Sequence, residues 1–304
     1  MEDPGLAAQI ALPLALATIM CALGMSLTPE DFKRVLVVPR GVAIGLANLL
    51  VISPLLGFAV AASYDLDPEL AVGLVLMAAA PGGTMAALLT HLARGETALS
   101  VTMTAVSSVL ALITVPFYLG LSVSTFDASV ADDVSMLGVV ARVFVITIIP
   151  LSAGMYWRAK RPVWVVQHEP RIKQVTLVVF VLVVIAAVVS ELDIITDHFA
   201  ELAFATLTLN VAAMTVAYGV SRVAGLNRRQ TTAISLELGV HNSTLAIAVA
   251  TTIATVLATP AAVYSVFMFL TAGAFARLMW ARNGREPEPE DLTAARTQAA
   301  TAAE

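Results

Sequence analysis

From Leu6 to Ala281 the chain is a succession of apolar runs separated by short segments that hold nearly all of its charge. Such a run, about 20 residues long, is what an α-helix needs to cross the hydrocarbon of a bilayer, since each residue advances it by only ~1.5 Å. Nine runs fall near 6–26, 38–62, 69–91, 97–121, 135–157, 173–191, 199–221, 231–256 and 261–281. No water reaches the backbone in hydrocarbon, so each run must close its own hydrogen bonds, and a helix does so. With 59% hydrophobic and 13% charged residues and a mean hydropathy of +0.87, the chain is too apolar for one water-soluble core. An all-α polytopic membrane protein is expected, with a transmembrane domain over residues 1–282.

The charge between the runs is sorted by sign. If the first run enters from outside, the inner connections hold Lys33, Arg34 and Arg40, then Arg94, then Arg158, Lys160, Arg161, Arg171 and Lys173, then Arg222, Arg228 and Arg229. The outer connections hold Asp65, Asp67 and Glu69, then Asp127, Asp132 and Asp133, then Glu191, Asp193 and Asp197, with no Lys or Arg. Orientation follows the Lys/Arg bias, which predicts a multi-pass protein of the cell membrane with its N-terminus outside and its C-terminus cytoplasmic. The first run follows Glu2 and Asp3 rather than a basic segment, so it reads as a retained span and not as a signal peptide. Residues 283–304 are acidic, Pro-containing and Ala/Thr-rich, and read as a disordered cytosolic tail.

Glu237 stands inside the eighth run, in Glu237-Leu-Gly-Val-His-Asn-Ser243. An ionised carboxylate at mid-bilayer costs about 3 kcal/mol on insertion scales, so it is expected to face a cavity, a partner or an ion. The same run breaks around Gly239 to Ser243, and the third run breaks at Pro81-Gly82-Gly83, where an amide is lost and unusual backbone angles are allowed. Broken backbone survives in a membrane only inside protein or along a cavity. Thr84, and Asn242 or Ser243, are then read as N-caps of second half-helices whose amides and dipoles suit an anion. The third run is second to last in a set of four and the eighth second to last in a set of five, with opposite directions. That is the inverted-repeat plan of a secondary transporter, with repeats near 6–121 and 135–281.

Other residues receive structural readings. Cys21 is a small buried hydrophobe, His91, His168 and His198 are interfacial, and Trp157 and Trp280 belong to the aromatic belt. The basic run from Arg158 to Lys173 is a topology determinant that touches anionic lipid, not a nucleic-acid site. No phosphate-binding loop, paired catalytic carboxylates, metal-spaced His/Cys cluster or nucleophile elbow occurs, so ATP-driven transport and enzymatic hydrolysis have no support.

Pro81-Gly-Gly-Thr84, Leu92-Ala-Arg-Gly95, Ala98-Leu-Ser100, the Glu237–Ser243 segment and the early Gly24-Met-Ser-Leu-Thr-Pro-Glu-Asp-Phe32 together resemble the bile acid:sodium symporter family, over most of residues 12–282. The resemblance implies a ten-helix fold with a panel domain and a core domain containing two broken, crossing helices, of which this chain would be a nine-helix member. It implies symport of an organic anion with sodium by alternating access. By matching position, Glu237 would be the shared carboxylate of the sodium region, Ser100 and Thr104 hydroxyl ligands, Leu238 and Val240 backbone-carbonyl ligands, and Thr84 and Asn242 substrate contacts. Hard sodium takes oxygen donors, which suits this set.

The chain departs from the family pattern at three places. Ala86-Ala87 replaces a Ser-Asn pair, His241 stands where Gln is usual, and the polar ligand of the second span is matched only by Asn48, with Leu49 at the ungapped position. Losing two side-chain oxygens weakens one cation site, whereas a second built on Glu237 and carbonyls survives. Single-sodium coupling is therefore one reading. Proton coupling through Glu237 with His241 is another, since both side-chain types can titrate near neutrality in altered surroundings. A membrane sensor that binds ligand but has lost coupling is a third.

Overall fold

The computed structural model describes residues 6–28, 34–129, 136–190, 196, 198–251 and 253–284. Its helices are α1 (Leu6–Ser26), α2 (Pro39–Ser63), α3 (Pro68–Ala78), α4 (Thr84–Leu92), α5 (Thr97–Phe126), α6 (Met136–Lys160), α7 (Pro162–Ser190), α8 (Phe199–Val223), α9 (Arg228–Gly239), α10 (Ser243–Thr251) and α11 (Thr259–Asn283). There is no strand among the described residues apart from one isolated bridge. Of the described helices, α2, α5, α8 and the last, taken from Thr255, are long and apolar enough to cross a membrane. The expected tail lies outside the described residues from 285 onward, as do Lys33, Asp132, Asp133, Glu191, Asp193 and Asp197.

Local chemistry sets many of the ends. Pro39, Pro68 and Pro260 lie in first turns, where a missing amide costs nothing. Asn227 and Gln230 form a reciprocal capping box at the start of α9. Helices α2, α4, α5 and α8 end through a left-handed residue, Asp65, Arg94, Asp127 or Gly225, and the amide that follows returns to a carbonyl in the last turn.

The basic segment after α6 is not a loop. Helix α6 runs on to Lys160 and α7 starts at Pro162, so Arg171 and Lys173 are helical. Hydropathy marks where a helix leaves the hydrocarbon, not where it ends, and proline at a first position permits an early start.

Helices α1, α6 and α7 pack on one another. A Cβ on Gly24 would overlap the Leu151 carbonyl, and one on Gly154 would overlap that of Cys21, so this pair of glycines allows α1 and α6 to cross at backbone contact. The other helices form a second group in which one pattern occurs twice: long α2, broken α3–α4 and long α5, then long α8, broken α9–α10 and long α11. These are the panel and the core that the resemblance implies.

Within α2 the residues Asn48–Ile52 form a π turn. Pro54 offers no amide to the Leu50 carbonyl, and the Tyr118 hydroxyl donates to that oxygen instead, at 2.8 Å. The wider turn is thus tied to a proline whose orphaned acceptor is satisfied from α5.

Candidate functional site

The two breaks satisfy each other. Gly82 and His241 form an antiparallel bridge, Gly83 N–H donates to the Val240 carbonyl at 2.8 Å, and Asn242 N–H donates to the Pro81 carbonyl at 2.7 Å. Backbone groups that no helix can use are thereby paired inside protein, as the membrane requires.

Glu237, in the last turn of α9, has no exposed surface. Its Oε1 accepts from the Ser100 hydroxyl, and the Thr104 hydroxyl lies 2.9 Å from Oε1 and 3.1 Å from Oε2. Ser100 and Thr104 are one turn apart on α5, so both reach the same carboxylate. Across from them is Gly82, where an added Cβ would overlap Oε2. The glycine of the first break is therefore the space occupied by the carboxylate of the second. No Lys or Arg bonds to Glu237 among the described residues, and hydroxyl donors alone leave a buried carboxylate in need of a cation or a proton. The assembled oxygens suit an alkali cation, and no group of three or more His, Cys, Asp or Glu among the described residues could hold a metal ion.

Other expected ligands surround this point. The Val240 carbonyl spends one lone pair on Gly83, and the Leu238 carbonyl has the Tyr264 hydroxyl at 3.5 Å, so each keeps acceptor capacity. Asn48 is fully buried; its amide donates to the Ile44 carbonyl at 2.8 Å, while its Oδ1 has no partner among the described residues. The π turn that carries it packs against both α5 and α9. Leu49, the ungapped candidate, belongs to a hydrophobic cluster with Leu99 and Met103. Ala86 is buried and Ala87 half-buried, and neither contributes an oxygen.

His241 is buried, and its ring bonds to neither oxygen of Glu237. Its Nε2 lies 3.0 Å from the Ser53 hydroxyl and its Nδ1 3.3 Å from the Tyr264 hydroxyl. Ser53 donates its proton to the Ala78 carbonyl at 2.8 Å, so it accepts from Nε2–H, and Nδ1 is left to accept from Tyr264. A neutral ring with both nitrogens engaged braces the crossing between α2 and α11. The second break has its own brace. Asn210 of α8 donates to the Gly239 carbonyl at 2.7 Å and to the Tyr264 hydroxyl at 2.8 Å, and accepts from Thr271 at 2.5 Å.

The half-helix starts differ from the sequence reading in one respect. Thr84 is the first residue of α4, not its cap; the cap is Gly83, extended at φ −88° and ψ 149°, which has no side chain to offer. The Thr84 side chain lies outside the described residues. Asn242 does cap α10, its Oδ1 accepting from Leu245 N–H at 3.1 Å, and its amide NH2 has no partner among the described residues. Ser53, Asn210, Tyr264 and Thr271 were not read from the sequence as part of the site. The signal for Asn210 was there, as a lone amide within a span.

An all-α membrane protein whose two broken helices cross on a buried carboxylate has the build of a secondary transporter, not of an enzyme. Residues 13–198 match the family described as the Sodium Bile acid symporter family, and the chain belongs to it. It is 28% identical over 284 residues to a protein of Oryza sativa named a probable chloroplastic sodium/metabolite cotransporter, covering 91% of this chain and 65% of that protein. It is 28% identical over 275 residues to an uncharacterized sodium-dependent transporter of Bacillus subtilis, covering 90% of this chain and 84% of that protein. Against the hepatic sodium/bile acid cotransporter of Rattus norvegicus it is 32% identical over 160 residues, 52% of this chain and 44% of that protein. The chain thus spans less than two thirds of the length of the rice and rat relatives.

Proposed function

We propose that this protein is a symporter that couples entry of an organic anion to a single sodium ion, oriented with its N-terminus outside and its C-terminus in the cytoplasm of a cell membrane. The observation that carries the reading is the buried Glu237 carboxylate, which meets two hydroxyls and a glycine from the opposite break and no basic side chain among the described residues. Sodium would take oxygens from Glu237, Ser100, Thr104, Leu238 and Val240, with Asn48 Oδ1 as a further donor on the adjoining π turn. The relatives named for sodium cotransport support the choice of ion. His241, counted with the cation ligands by position, acts in this reading through its braces to Ser53 and Tyr264. With two neutral partners His241 bonds no carboxylate among the described residues, so the proton-coupled alternative would run through Glu237 without it.

The anion would approach the unpaired amide of Asn242 and the start of α4 at Thr84, where both half-helix dipoles present positive ends to the crossing. Alternating access finds support in the packing. Helix α10 is buried throughout from Ser243 to Ala250 and packs on α1 and α7 of the panel, whereas α4 packs on the core helices α5, α9 and α11 and leaves Met85, Leu88 and Leu92 exposed. In the proposed orientation this is a carrier closed outside and open toward the cytoplasm.

The deciding experiment is thermal unfolding of the purified protein in a sodium titration, with potassium holding ionic strength constant. A ligand bound only by the folded state stabilises it by about 2.7 kcal/mol at one hundred times its Kd. Sodium is expected to raise the unfolding temperature in wild type and to have no effect in Glu237→Gln. Equal curves with sodium and potassium in the folded wild type would refute sodium coupling.

A further inference from the structure

The last helix carries an arginine that the transport reading does not use. Val266, Leu270, Gly273, Arg277 and Trp280 recur at alternating spacings of four and three, so they line one face of α11 from its middle to its cytoplasmic end. Val266 and Leu270 are 58% and 66% exposed, which makes this stripe a surface offered to lipid. Where it passes α4, the two helices leave a groove of about 530 Å³ between Leu89 and Leu92 on one side and Gly273, Ala276, Arg277 and Trp280 on the other. A Cβ on Gly273 would meet nothing within 4 Å, so the middle of the groove is open.

Charge is placed at one end only. Arg277 is exposed and has no partner among the described residues. Arg94, held at the left-handed residue that ends α4, lays its guanidinium 4.6 Å from the Trp280 ring centroid and likewise has no carboxylate partner among them. No acidic residue lines the groove. An unpaired arginine roughly 9 Å short of a helix end, at ~1.5 Å per residue, costs free energy in hydrocarbon unless its side chain reaches an anion at the interface. The groove therefore has an apolar slot toward mid-membrane, the Arg277 guanidinium and the Trp280 indole toward the cytoplasm, Arg94 stacked on that indole, and no acidic residue in its lining.

We propose that the groove between α4 and α11 binds an anionic glycerophospholipid of the inner leaflet, with the phosphate on Arg277 and Arg94 and one acyl chain lying over Gly273 toward Leu270. The inference depends on the proposed orientation only for which leaflet supplies the lipid. Because α4 is one wall, the bound lipid would tie the exposed half-helix to α11.

The test is native mass spectrometry of the full chain released from nanodiscs of phosphatidylcholine with a minor share of phosphatidylglycerol. Wild type is expected to retain phosphatidylglycerol in preference to phosphatidylcholine. At about 1 kcal/mol per basic residue, Arg277→Gln is expected to retain it about fivefold less and the Arg277→Gln, Arg94→Gln pair roughly thirtyfold less. Gly273→Leu, which places a side chain in open space, is expected to lose the lipid with both charges intact and the unfolding temperature unchanged. Equal retention of the two lipids by wild type, or undiminished retention by Arg277→Gln, would overturn the proposal, with the sodium response unaffected either way. Displacement of the lipid by a soluble organic carboxylate would also overturn it, since the groove would then belong to the transported anion.

Discussion

The half-helices that follow the two breaks, α4 and α10, have the same length and the same place in their repeats, yet opposite surroundings. Helix α10 is covered by α1, α3, α7 and α11, while α4 has core neighbours on one side and exposes Met85, Leu88 and Leu92 on the other. Sequence symmetry therefore does not extend to burial. One copy of the motif is sealed against the panel and the other stands open, and the proposed alternating access would exchange the two environments. The breaks differ as well. The first is made by a proline and two glycines that give up amide and side chain, and the second, Val240-His241-Asn242, has no proline and is held open by the groups it bonds.

The strongest disruption of this arrangement is at Gly82, the residue of the first break that makes room for the carboxylate beside the second. Gly82→Val would drive a side chain into Glu237, so we expect a loss of about 3 kcal/mol or more, seen as failure to yield folded protein or a large fall in unfolding temperature. Gly219→Ala inside α8, where a Cβ meets nothing within 4 Å, serves as the control and should cost no stability, with a gain of up to about 1 kcal/mol from helix propensity.

The contrast between α10 and α4 is sharpened by truncating one apolar side chain on each. The cost of a truncation comes from lost packing and the cavity left behind, so it scales with burial. Ile247→Ala, at a site with no exposed surface, is expected to cost about 3 kcal/mol, and Leu88→Ala less than about 0.5 kcal/mol, both read by thermal unfolding. In a Cys21→Ala background, Leu88→Cys should react quickly with a water-soluble maleimide and Ile247→Cys should not. Equal reactivity would remove the asymmetry on which the open-inward assignment depends.

The smallest expected differences separate the two braces. Asn210→Ala strands the Gly239 carbonyl and removes bonds to Tyr264 and Thr271, for a cost of about 2 kcal/mol. Ser53→Ala removes the donor to Ala78 and the partner of His241, for about 1 kcal/mol. A larger loss at Ser53 would mean that the first break is the more dependent on its side-chain support.

Much of this could be read before the fold was known. The apolar run of α1, the two interruptions, the Glu237 carboxylate and its Ser100 and Thr104 partners all follow from apolar periodicity, breaker residues and an ionisable group in a span, together with the family resemblance. These are local properties, because a helix in hydrocarbon must satisfy its own backbone and each departure is visible where it occurs. Helix ends were less legible, as the segment after Lys160 shows, because charge ends a membrane crossing without ending a helix.

The sequence by itself determined that this chain crosses a membrane as helices, breaks two of them in corresponding places, and places one carboxylate beside the second break. Only the tertiary structure decided that Gly82 is the space for that carboxylate, that His241 points to Ser53 and Tyr264, that Asn210 holds the Gly239 carbonyl, and that Gly24 and Gly154 let two panel helices touch. The physical reason is distance along the chain. Each of these contacts joins residues more than one hundred positions apart or on different helices, and no local propensity encodes which face meets which until the helices have packed.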